Sequence, residues 1–108
     1  MVATAPLDLP ALEVIAEPNR RRILDLLLIE EQPVGRLVEA LDLSQPLVSK
    51  HLRVLRDAGL VEVRTDAQRR IYRLRDEPLQ SLDAWLAPYR ERWRTGLDAL
   101  ERHLDEMP

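Results

Sequence analysis

Gln45, Ser49, Lys50, Arg53 and Arg56 are spaced to lie on one side of a short helix. An amide, a hydroxyl and three cations in that order supply hydrogen-bonding groups near the helix N-terminus and positive charge along its length. That is the chemistry of touching base edges and holding phosphates. The other side is apolar, with Val48, Leu52 and Leu55 at i, i+4 and i+7. Ser44 is placed to cap the helix, because its hydroxyl can accept from a backbone N–H that has no partner in the first turn. Pro46 falls in that turn, where its missing N–H costs nothing. Gly59 supplies the positive φ that ends a helix. The spacing predicts a helix over about 44–57 that presents Ser44, Gln45, Pro46, Ser49, Lys50, His51 and Arg53 to duplex DNA. Gln45 and Ser49 are expected nearest the base edges. His51 adjoins Lys50, so a DNA-facing role outranks metal ligation.

The neighbouring elements must position that helix. Val34, Leu37, Val38 and Leu41 repeat at i, i+3, i+4 and i+7, which predicts a second short amphipathic helix. Asp42-Leu43 joins the two, and Asp42 stands where the tight turn needs a left-handed residue. Two short helices joined this closely make a helix-turn-helix. After Gly59, Leu60, Val61 and Val63 and then Ile71, Tyr72 and Leu74 read as two strands, with Val61 and Val63 on one face and Tyr72 and Leu74 on another. The polar loop Thr65–Arg69 joins them. This hairpin, over about 61–75, is expected to lay Arg69 and Arg70 on phosphates or in the minor groove. The fold class that follows is mainly α with a small β-hairpin, a winged helix-turn-helix in the order α-α-α-α-β-β-α.

Upstream, residues 1–8 are expected to form a flexible N-terminus, followed by one domain over 9–108. A first helix over about 10–16 carries Leu9, Leu12 and Ile15, and Pro18 opens a leucine-dense second helix expected to be buried on most sides. Arg20, Arg21 and Arg22 have the charge to touch phosphates or to form a solvated helix face, with the solvated face favoured. A last helix spans about 77–106. Its Leu79, Leu82, Leu86, Tyr89, Trp93, Leu97, Leu100, Leu104 and Met107 keep a heptad-like spacing with one stutter at Trp93–Leu97. Pro88 predicts a kink or break near Ala84–Ala87. A seam this long exceeds what so small a domain can cover, so the surplus calls for a second copy. Leu12, Ile15, Leu82, Leu86, Tyr89, Trp93, Leu97, Leu100 and Leu104 are the expected dimer interface. Trp85, Tyr89 and Trp93 form an aromatic ladder that serves either this interface or a ligand pocket, with the interface favoured.

Composition narrows the classes. A chain of 108 residues with 45% apolar and 32% charged residues is a one-domain globular balance. It has no cysteine, so disulfides and thiolate chemistry are excluded. No glycine-rich phosphate loop or nucleophile elbow occurs, and no catalytic residue or cofactor is expected. His51 and His103 lie on different elements, and no metal site is expected from them. With no apolar run of membrane length and no secretory start, a cytoplasmic protein is expected. The net charge of −3 hides a split. Residues 44–75 hold eight cations against three anions, or +5; the remainder holds 8 against 16, or −8. A basic patch on an acidic body is an electrostatic footprint for nucleic acid.

Three stretches carry a family resemblance over about residues 9–106. They are Glu17-Pro18-Asn19-Arg20-Arg21-Arg22-Ile23-Leu24, Leu43-Ser44-Gln45-Pro46-Leu47-Val48-Ser49-Lys50-His51-Leu52 and Leu55-Arg56-Asp57-Ala58-Gly59-Leu60-Val61. With them the chain resembles the ArsR/SmtB-type winged-helix repressors. The resemblance implies a homodimer joined by its first and last helices. It also implies double-stranded DNA as partner, and repression relieved by a small-molecule or protein inducer. Two departures stand out. The cysteine pair of many metal sensors is missing from Gln32–Leu37, and Asp83 is followed by Trp85 where a histidine ligand is needed. The chain therefore resembles a metal-independent member. A winged helix that serves as a protein-interaction module, without reading DNA, is the alternative.

Overall fold

The computed structural model describes residues 6–107. Helix α1 (Leu9–Ile15) is followed by α2 (Pro18–Ile29), β1 (Gln32–Pro33), α3 (Val34–Leu41), α4 (Gln45–Asp57), β2 (Val61–Asp66), β3 (Arg69–Leu74) and α5 (Glu77–Asp105). Local signals set most of these boundaries. Asp8 caps α1, accepting from the Ala11 N–H at 3.0 Å, and Glu17 caps α2, accepting from the Arg20 N–H at 2.9 Å. Of the flexible segment expected at 1–8, residues 1–5 lie outside the described residues.

The helix-turn-helix forms as its sequence dictates. Asp42 closes α3 at φ 55°, the left-handed backbone that aspartate tolerates. Ser44 Oγ accepts from the Leu47 N–H at 3.3 Å. At the far end of α4, Gly59 takes φ +76°; its N–H donates to the Arg56 carbonyl and the Leu60 N–H to the Leu55 carbonyl, both at 2.9 Å. This pair of bonds is the Schellman ending that a glycine allows. The chain is thereby aimed directly into β2.

The sheet differs from expectation in three ways. First, Gln32–Pro33 adds a short strand, so the order is β1-β3-β2, all antiparallel, and the element order becomes α-α-β-α-α-β-β-α. Two residues carry no periodicity, but buried Gln32 is held there by donating Nε2–H to the Leu26 carbonyl at 2.8 Å. Second, Val61 pairs with Leu74 and Val63 with Tyr72. Residues directly opposite share a face, so all four point to one side rather than to two. Third, the strands extend to Asp66 and from Arg69, leaving a two-residue turn at Ala67–Gln68 instead of a five-residue loop. Ala67 adopts φ 57°, a demand that usually selects glycine or asparagine, which is why the turn was not legible.

Ile23 and Leu27 of α2, Leu37 and Leu41 of α3, and Val48, Leu52 and Leu55 of α4 form the centre of the core, closed by Ala11, Val14, Leu60, Val61 and Tyr72. Helix α2 is not buried on most sides: Leu28 and Ile29 are 74% and 78% exposed. Helix α5 packs by buried Pro78 and partly buried Leu79, then leaves the body. It runs without a break through Pro88, so of the kink or break expected near Ala84–Ala87 the break does not occur. Proline at that position deprives the Ala84 carbonyl of its helical partner, but Ala84 is exposed and water can take the bond. No helix among the described residues is long and apolar enough to cross a membrane.

Candidate nucleic-acid interface

The N-terminal half of α4 keeps one face outside the body. Ser44, Gln45, Pro46, Ser49, Lys50 and Arg53 are all exposed, as are Arg69 and Arg70 on the wing. A polar groove of about 530 Å³ separates the two elements, with Gln45, Ser49, Arg53, Arg56 and the acid Asp57 on the helix side and Arg70 and Tyr72 on the strand side. Of the expected residues, Gln45, Ser49, Arg53 and Arg70 line this one concavity, while Ser44, Pro46, Lys50 and Arg69 lie outside its lining. Arg56, which its spacing had already placed on the same side of the helix, lines the groove with Gln45, Ser49 and Arg53.

His51 is the exception. It is 7% exposed and turned inward, so the DNA-facing assignment is corrected. Its position explains this: Val48, His51, Leu52 and Leu55 follow i, i+3, i+4, i+7, so the imidazole belongs to the buried stripe. Arg20 Nε donates to His51 Nδ1 at 3.3 Å, and Glu17 Oε2 lies 3.9 Å from the same nitrogen.

Ion pairing sorts the cations of the basic segment. Arg64 bonds Glu31, Arg73 bonds Glu62, and Arg75 lies 3.5 Å from Glu77 and 3.9 Å from Glu62. The Glu31 hydrogen bond and charge raise the Arg64 pKa further. Glu77 is held below the usual carboxylate range by its own backbone N–H and then by Arg75. Lys50, Arg53, Arg56, Arg69 and Arg70 form no ion pair among the described residues. Free positive charge is therefore concentrated on the outer face of α4 and on the wing strand nearest the turn, while the wing base is neutralised.

The arginine run of α2 is not merely a solvated face. Besides the Arg20–His51 bond, Arg21 donates to the Ile15 carbonyl at 3.4 Å and Arg22 to the Leu41 carbonyl at 3.5 Å. Three successive arginines thus tie α2 to α4, to α1 and to the end of α3.

The residues expected to pair two copies divide into groups. Leu12, Tyr89, Trp93, Leu97, Leu100 and Leu104 are exposed, and Leu82 and Leu86 are half-buried. Ile15 packs instead against the core of its own chain. In the aromatic ladder, the Trp85 and Tyr89 rings lie 4.9 Å apart at 37°.

Residues 17–63, from the cap of α2 into β2, match the bacterial regulatory protein arsR family. The chain is also 32% identical to the transcriptional repressor SdpR of Bacillus subtilis over 74 residues, covering 68% of this chain and 82% of that one. The chain belongs to the ArsR family. The transcriptional activator HlyU of Vibrio cholerae is 39% identical to this ArsR-family chain over 71 residues, 66% of each protein. A crystal structure of an ArsR family transcriptional regulator superposes with a TM-score of 0.72 at 29% identity, over 86% of this chain and 97% of that one. Two further relatives are matched over 56% and 47% of their length, so the chain spans about half of each.

Proposed function

We infer that this ArsR-family chain is a DNA-binding transcriptional regulator: a homodimeric repressor that reads a roughly palindromic operator through the major groove. One observation carries the reading. The exposed face of α4 meets the wing across a polar groove in which Arg53, Arg56 and Arg70, three cations in no ion pair among the described residues, outnumber the one acid, Asp57. Gln45 and Ser49 offer donors and acceptors to base edges, while Lys50, Arg53 and Arg56 hold the flanking phosphates. Arg69 and Arg70 reach the backbone or the adjacent minor groove from the wing. The acidic remainder of the chain repels DNA and so favours an encounter in the correct orientation. A reader of bacterial chromosomal DNA works in the cytoplasm. The repressive sign is adopted from SdpR; HlyU is named an activator, and a reporter gene placed behind the bound sequence separates the two.

The direct experiment is selection of bound duplexes from a random pool, followed by binding at several salt concentrations. Enrichment of a two-fold sequence, bound with a steep negative salt slope, is expected. Recovery of no enriched sequence would overturn the reading.

A further inference from the structure

We propose that the Arg20–His51 hydrogen bond is a positioning device that sets α4 for base reading. The inference rests on the DNA-binding reading above. His51 is buried in the middle of the recognition helix, beside Lys50 and two residues from both Ser49 and Arg53. It makes no outward contact, so its chemistry is directed at the body of the protein.

An arginine Nε can only donate, so Nδ1 accepts. Glu17 completes the arrangement. One carboxylate oxygen accepts the Arg20 backbone N–H at 2.9 Å and lies 3.9 Å from His51 Nδ1. The group that caps α2 thus stands beside the bond that joins α2 to α4. Helices α1 and α3 and strand β2 also pack on α4, but Glu17 is the acid within ion-pair distance of His51 among the described residues.

The bond matters because the rest of the α4 seat is apolar. Val48, Leu52 and Leu55 hold the helix to the core, and apolar contact is non-directional. The Arg20–His51 bond adds a directional constraint on how α4 is rotated against α2. Hydrogen bonds from Gln45 and Ser49 to base edges tolerate only a few tenths of an ångström. Phosphate attraction is far less sensitive to geometry. Loss of the bond therefore lowers selectivity more than total DNA affinity.

The test uses a duplex that the chain itself selects and a scrambled duplex of equal length, with binding to both measured at pH 8. His51→Leu and Arg20→Leu should lower the ratio of the two affinities about tenfold, the scale of one charge-assisted hydrogen bond, with circular dichroism confirming that they are folded. His51→Asn keeps an acceptor near the Nδ1 position and should retain the wild-type ratio. A folded His51→Leu or Arg20→Leu with an undiminished ratio, or a His51→Asn variant whose ratio falls as far as that of His51→Leu, overturns the positioning device alone. A wild type that selects no duplex overturns the DNA reading and the device with it.

Discussion

Ser44, Asp42 and Gly59 each do one local job, and each was readable because the physical demand is local. A cap needs a hydroxyl, a tight turn needs a residue that accepts positive φ, and a Schellman ending needs a glycine. Removing the Ser44 hydroxyl by Ser44→Ala should cost ~1 kcal/mol of stability, measured by denaturant unfolding, because the Leu47 N–H is left without its partner. His51 shows the opposite case. Its spacing placed it on the buried stripe, but a polar ring next to Lys50 looked like a surface group. Only the partners from α2, 31 and 34 residues away in sequence, compensate for its burial. Gln45 and Ser49 remain the residues with the chemistry to discriminate bases. A Gln45→Ala, Ser49→Ala double variant should keep its fold and lose ~1–3 kcal/mol of discrimination for each bidentate pair removed. Competition between the selected duplex and single-base variants checks this, and unchanged selectivity would refute the assignment.

At the scale of elements, the wing and α5 show where sequence patterning stops. Strand propensity located the hairpin, but the turn rests on an alanine at φ 57°, which no composition rule signals. Charge counting gave the hairpin and α4 a surplus of +5, yet it could not say which cations are paired with acids of the same chain. Glu31, beside β1, and Glu62, across the hairpin, take Arg64 and Arg73 and leave Arg69 and Arg70 free. Replacing Arg69 and Arg70 by glutamine should weaken binding to selected and scrambled duplexes alike. The salt slope should fall by roughly 0.9 for each phosphate that is no longer neutralised. The Arg64→Gln and Arg73→Gln changes should leave that slope nearly untouched, and equal effects from both pairs would argue against a free wing tip. In α5 the period of the leucines outweighs one proline. Pro88→Ala restores a missing backbone bond at an exposed site, so amide exchange should slow around residues 84–92.

The whole molecule is shaped by what one chain leaves uncovered. A helix of 29 residues extends about 43 Å at 1.5 Å per residue, and only its start rests on the core. The overall extents of 65 × 36 × 22 Å record that projection. Trp93 and Leu97, 55% and 66% exposed, lie in the middle of the uncovered seam, and Leu12 presents a further apolar group on α1. The seam itself was legible from its 3-and-4 spacing. Its extent was not, because spacing alone does not reveal that Ile15 turns into its own core while Tyr89 to Leu104 stay outside. Pairing two copies through this seam removes the exposed apolar surface, at about 25 cal/mol for each Å² buried. It also joins two copies of α4, and a two-fold axis that sets them ~34 Å apart matches successive major grooves on one face of the duplex. If two copies pair as proposed above, affinity for an operator depends on the seam. Trp93→Asp places a charge where the two helices meet, and an unpaired buried carboxylate is strongly unfavourable. Sedimentation at micromolar concentration should find the wild type dimeric and Trp93→Asp monomeric with the same circular dichroism in its body. Binding to a single half-site should then be little changed, while binding to the full two-fold duplex falls toward the half-site value. A dimeric Trp93→Asp variant, or a wild-type monomer, would rule out this seam as the surface that joins the two copies.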